Sequence, residues 1–158
     1  MKNLLLLVLL LSSAVVNAQK NNYYKLNLAE KSDEPNQMLF FKVNPESVHI
    51  TFFWIDYEIK DVNPGKLDMA KSGFMLTLAN DSTLMFKVDT TVSSSITTDR
   101  GEVLTMVALI PNDEIKLIYD NQVRNIKLFF NDKYFDVKTL SAIQQDQLKQ
   151  YAGLILKK

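Results

Sequence analysis

Apolar positions in this chain fall into three regimes: an unbroken run at the start, alternation through the middle, and a three-and-four spacing at the end. The opening run, Leu4 to Leu11, follows Lys2 and precedes Val16-Asn17-Ala18. A charged start, about eight to twelve apolar residues and small residues before a cleavage point make a secretory signal, whereas a spanning helix needs roughly twenty. Residues 1–18 are therefore read as a signal peptide, and residues 19–158 as a single domain.

Past a polar lead, Tyr23-Tyr24-Lys25-Leu26 is followed by a loose segment from Lys31 to Gln37, and then the alternation begins. Met38–Val43 and Val48–Ile59 are dense in aromatic and β-branched residues, with Asn44-Pro45 between them, so they predict two strands and a turn. The longer strand changes phase: Val48, Ile50 and Phe52 are even, then Phe53, Ile55, Tyr57 and Ile59 are odd. Such a switch demands a bulge, a bend or burial of both faces. Asp61 to Gly65 reads as a turn. Phe74–Ala79 and Thr83–Val88, joined by Asn80-Asp81-Ser82, predict a hairpin with Phe74, Leu76 and Leu78 facing the way of Leu84, Phe86 and Val88. Thr90 to Gly101 is rich in Ser and Thr and is expected to be a mobile loop, while Val103–Ile110 has few polar positions and is expected to be buried on both faces.

At Pro111 the period lengthens. Asn112 is expected to cap a short helix with Asp113 and Glu114 in its first turn, Ile115, Ile118 and Tyr119 on one stripe, and an end near Asp120-Asn121. Arg124–Phe130 and Tyr134–Val137 form a second predicted hairpin around Asn131-Asp132-Lys133. Thr139 or Ser141 then opens a helix that places Leu140, Ile143, Gln147, Leu148, Tyr151, Leu154 and Ile155 on one face. The fold class that follows is α+β: a mainly antiparallel sheet of hairpins, one short helix, and a C-terminal amphipathic helix packed on the sheet. The order of elements from Phe74 to Lys157, including pieces such as Ile126-Lys127-Leu128-Phe129-Phe130, resembles a layout seen in small exported bacterial α+β domains of unassigned function. That resemblance implies no active site.

Charge and composition narrow the partners. Cleavage removes only Lys2 from 18 basic side chains, which leaves 17 against 18 acidic and a net charge of −1. Nucleic acid is excluded, because phosphates demand a concentrated basic surface. No later apolar run approaches the length of a spanning helix, so no transmembrane segment is expected after cleavage. The chain has no cysteine, so its stability rests on packing alone and thiol chemistry is ruled out. The four glycines, Gly65, Gly73, Gly101 and Gly153, are scattered singly and build no phosphate loop; no cofactor is expected.

Candidate chemistry is sparse. His49 is the only histidine, flanked in a strand by Val48 and Ile50, and one histidine without cysteine makes no metal site. Asp56 and Glu58 share a strand face two residues apart, next in phase to Trp54. Paired carboxylates beside an aromatic ring are what glycoside hydrolysis uses, at separations of roughly 5 to 9.5 Å, yet the wet end of any amphipathic strand has the same pattern. Ser93-Ser94-Ser95 has no neighbouring histidine and no nucleophile elbow. Asp113 with Glu114, and Asp132 with Asp136, lack the spaced oxygens of a calcium loop. Tyr23, Tyr24, Phe40, Phe41, Phe52, Phe53, Trp54 and Tyr57 crowd into 35 residues, and adjacent strand residues point to opposite faces. One core holds them all only if both faces are covered. An open face is a binding surface. The sequence thus predicts an exported, non-catalytic binding module of the cell envelope or extracellular space, with Trp54, Asp56 and Glu58 as candidate ligand residues and a protein, peptide or glycan as partner. The alternative is a small hydrolase that acts on glycans through Asp56 and Glu58.

Overall fold

The computed structural model describes residues 22–29, 37–55, 67–99, 101–131 and 133–158. The signal segment 1–18, most of the loose segment before β2, the turn at 61–65 and the strand end at 56–59 lie outside the described residues. Among the described residues, nine strands and two α-helices follow in order: β1 (Asn22–Asn27), β2 (Gln37–Val43), β3 (Val48–Ile55), β4 (Ser72–Leu78), β5 (Thr83–Lys87), β6 (Ser94–Thr98), β7 (Gly101–Ile110), α1 (Asn112–Asn121), β8 (Val123–Phe130), β9 (Lys133–Thr139) and α2 (Ala142–Ile155).

The class is α+β, and the strands divide into two antiparallel sheets. One has the order β1-β2-β3-β7-β6 and the other β5-β4-β8-β9. Both expected hairpins form, with the predicted faces: Phe74, Leu76, Leu78, Leu84, Phe86 and Val88 are all buried. The two sheets share one core. Phe52 of the first meets Phe74 of the second with ring centroids 6.5 Å apart, and Phe74 stacks on Phe86 at 5.2 Å. A core of this kind is the main stabilising term available to a chain without disulfides.

The phase change in β3 is not a bulge within the described strand. Pairing with β2 and with β7 runs without a slip from Val48 to Trp54. The even residues Val48, Ile50 and Phe52 enter the core, and Phe53 and Ile55 are half-buried on the opposite face. Two other expectations are corrected. Thr90 to Gly101 is not a loop throughout, because Ser94–Thr98 is the edge strand β6, paired residue by residue with β7. Its entry is fixed by polar contacts: Asp89 Oδ1 accepts from the amide and hydroxyl of Thr91 at 2.9 and 2.7 Å, and the Val107 amide donates to Ser93 Oγ at 2.9 Å. An edge strand needs no apolar alternation, so its Ser and Thr content misled the reading. Nor is β7 buried on both faces: Leu104, Met106, Ala108 and Ile110 are buried, but Leu109 is 60% exposed.

In α1 the cap is Pro111 and not Asn112, which is already helical and makes no capping contact. Ile115 and Ile118 are buried as expected, while Tyr119 is exposed. Gln122, which caps the C-terminus of α1, has φ 54° and ψ 153°, a region nearly reserved for glycine and costing about 1–3 kcal/mol of strain. The Gln122 amide donates to the Ile118 carbonyl at 3.1 Å and its side chain donates to Asp146 Oδ1 at 2.8 Å, which holds it there. Gln122→Gly is expected to raise stability by about 0.5–1 kcal/mol, the strain relieved exceeding the entropy of glycine and the lost exposed hydrogen bond. A lower urea midpoint would contradict that account.

The last helix, α2, opens with the Ser141 capping box: Ser141 Oγ accepts from the Gln144 amide and Gln144 returns to the Ser141 amide. Its buried residues are Gln144, Leu148, Ala152 and Ile155, with Tyr151 half-buried. Ile143 and Leu154 of the expected stripe face solvent. The helix packs on α1 and reaches β1 and β8. At β1 it does something the periodicity did not foresee: Gln144 Nε2 donates to the Asn27 carbonyl at 2.9 Å and Tyr151 Oη to the Lys25 carbonyl at 3.0 Å. These are carbonyls of an edge strand. The helix thereby occupies an edge that no other described strand pairs with.

Candidate binding face

Alternation along β3 sends His49, Thr51, Phe53 and Ile55 away from the core, and the register of the sheet continues that face on both sides. On β2, Phe40 pairs with Thr51 and Lys42 with His49; on β1, Lys25 pairs with Phe40 and Tyr23 with Lys42. On β7, Val107 pairs with Thr51 and Leu109 with His49, and Val103 joins Ile96 of β6. The result is an outward surface with an apolar centre. Phe40 and Phe53 meet edge to face at 6.5 Å in its middle, both half-buried, while Tyr23, Ile96 and Leu109 are exposed around them. No described helix packs across this face; α2 meets β1 through Tyr24, on the core side, at a ring distance of 5.4 Å from Tyr151.

The outer face of the second sheet differs. There Lys87, Lys127 and Asp136 stand among exposed Met85 and Tyr134, and Phe129 is buried against Gly73 with its ring centroid 6.0 Å from that of Tyr134. Asp136 accepts from Lys127 Nζ and from Asn125 Nδ2, each at 3.1 Å, and these bonds hold its carboxyl below the usual range. A lowered pKa gives stability that is present above the unfolded value and lost as pH falls through the folded one. Asp136→Asn is therefore expected to cost less than about 0.5 kcal/mol at neutral pH, discounted for its exposure. The difference between parent and variant urea midpoints should narrow as pH falls below 3.8, the ordinary value; a difference that widens there would contradict it.

Of the residues singled out from sequence, Trp54 lies on the core side of β3. It is half-buried against the core, with its ring perpendicular to Phe52 at 6.3 Å. Asp56 and Glu58 lie outside the described residues. His49 sits on the outer face, and its Nδ1 has no hydrogen-bond partner among the described residues. Thr91's hydroxyl and amide hold the Asp89 carboxyl below the usual range, with His49 adding a smaller pull. Ser93 is spent on the backbone of Val107, so it is a structural hydroxyl. No group of three or more His, Asp or Glu side chains suited to a metal ion occurs among the described residues. No described helix is long and apolar enough to cross a membrane.

Sequence reading splits the runs 40/41 and 52/53/54 between the two faces, and the structure does the same: Phe41, Phe52 and Trp54 face the core, Phe40 and Phe53 face out. It missed Leu109, Lys25 and Lys42, because membership of this face depends on which strands become neighbours. Comparison of the chain with protein-family models, with curated proteins and with solved structures found no match in any of the three.

Proposed function

We propose that the protein is an exported, non-catalytic binding module whose contact surface is the outer face of the five-stranded sheet. The observation that carries this reading is the contrast between the two outer faces. The four-stranded sheet carries the Lys127–Asp136 ion pair on its outer face beside exposed Met85 and Tyr134, whereas the five-stranded sheet sets Phe40 and Phe53 at the centre of its outer face, with exposed Tyr23, Ile96 and Leu109 around them and Lys25 and Lys42 on the β1–β2 side. Contiguous apolar surface of more than a few hundred Å² usually marks a contact site. Export is supported by the pattern of residues 1–18. The hydrolase reading has less support, since Trp54, the proposed aromatic platform beside Asp56 and Glu58, packs against the core.

Two measurements test the proposal. N-terminal sequencing of the exported protein should begin at Gln19; intact Met1 on exported material would remove the export half. Co-sedimentation with the envelope fraction of the producing cell tests the other half. The double variant Phe53→Ser, Leu109→Lys is expected to lose at least about tenfold in association while its far-UV spectrum is unchanged, and Asp56→Asn with Glu58→Gln should associate like the parent. Equal association of the face variant and the parent would reject the face.

A further inference from the structure

We infer that the partner of this face is an acidic protein segment, one that sets carboxylates against Lys25 and Lys42 while its apolar side chains cover Phe40, Phe53 and Leu109. The inference rests on the binding-module reading and goes one step past it. Lys25 stands across from Phe40 and Lys42 across from Tyr23 in the β1–β2 register. Each ammonium lies over the ring opposite, 5.9 Å from its centroid. The negative face of an aromatic ring attracts a cation, so both charged heads stay at the level of the aromatic surface instead of extending into solvent. The outward positions of β1, β2, β3 and β7 carry no carboxylate, and Asp89 stands at the rim with its oxygen committed to Thr91. Among the described residues, the outward strand positions of this face thus carry cations and no anion, with Asp89 confined to the rim beside His49, on a chain whose charges balance at 18 and 18.

That combination selects among occupants. An anionic membrane attracts juxtaposed clusters of about four to eight basic residues, and two lysines fall short of that. A second copy stacked on the same face contributes lysines and no carboxylate from it. A protein segment that carries both apolar side chains and acids satisfies the apolar centre and the cationic side together, and complementary charge then supplies specificity and rate of encounter.

The test uses the mature chain, labelled with nitrogen-15, and three synthetic twelve-residue peptides in which Leu alternates with Glu, Gln or Lys. The Glu peptide is expected to shift the amide signals of β1, β2, β3 and β7 and to bind at least about tenfold tighter than the Gln peptide, with the advantage falling at high salt. In the double variant Lys25→Glu, Lys42→Glu the preference should reverse toward the Lys peptide. If that variant fails to fold, Lys25→Gln with Lys42→Gln should bind the Glu and Gln peptides alike. Equal binding of all three peptides by the parent overturns the acidic partner and leaves the face standing, since the envelope assay above tests the face separately. Shifts at none of these strands overturn the inference, as does tighter binding to phosphatidylglycerol vesicles than to the Glu peptide. Concentration-dependent dimerisation that Leu109→Lys abolishes assigns the face to a second copy and overturns it too.

Discussion

Gly73→Ala is expected to lower the urea midpoint well beyond what an ordinary surface substitution does. Gly73 sits in β4 between Lys87 of β5 and Phe129 of β8. A Cβ built there falls on the carbonyl oxygen of Phe86 and on the ring of Phe129. The ring alone can turn aside; the carbonyl belongs to the backbone of the paired strand and moves only with the sheet. Overpacking a rigid site typically costs about 1–3 kcal/mol, and a clash with backbone belongs at or above the top of that range. The position is thus a glycine because an aromatic ring lies flat where a side chain belongs, and it owes nothing to an unusual φ. A double-mutant cycle separates the two obstacles: in a Phe129→Ala background the cost of Gly73→Ala should fall but not vanish, because the Phe86 carbonyl remains. A cost below about 0.5 kcal/mol in the parent would mean that the strands are not packed as described.

Leu148→Ala is expected to cost on the order of 2–5 kcal/mol, the loss of a fully buried side chain plus the cavity it leaves. The informative control is Ile143→Ala. Sequence periodicity places Ile143 on the same stripe as Leu148, but it is 73% exposed, so its truncation should cost little. Denaturant unfolding of both variants beside the parent decides the matter. Equal losses for the two would restore the stripe read from periodicity and reject the observed docking, and equal midpoints for all three would show that α2 does not pack at all.

The error in that stripe is instructive. The contact face of α2 holds Gln144, Leu148, Ala152 and Ile155. The expected stripe took Gln147, which is exposed, in place of Gln144, and passed over Ala152 because it is small. Gln144 is nevertheless buried at no cost in lost hydrogen bonds, since it completes the capping box and donates to the Asn27 carbonyl of β1. Ala152 keeps the side of the helix that meets the core slim, and Gly153 brings it within about van der Waals distance of the Tyr119 ring of α1, where a Cβ would lie 2.9 Å away. Helix rotation was set by its partners, α1 on one side and, on the other, carbonyls of β1 from 117 and 126 positions earlier in the chain.

Residue order along the chain determined what depends on neighbours in sequence: most of the strands, the two hairpins with the inward face of the first, the capped closing helix, and the splitting of Phe40 from Phe41 and of Phe52 from Phe53 between two faces. Alternation and capping are local, so they are legible locally. Only the tertiary structure decided that the strands form two sheets, that Ser94–Thr98 is an edge strand, and that Lys25, Phe40, Phe53 and Leu109 share one surface while Trp54 turns to the core. Each of those outcomes depends on which strands lie side by side, and in an antiparallel sheet that choice is made by the complementarity of whole faces across the core.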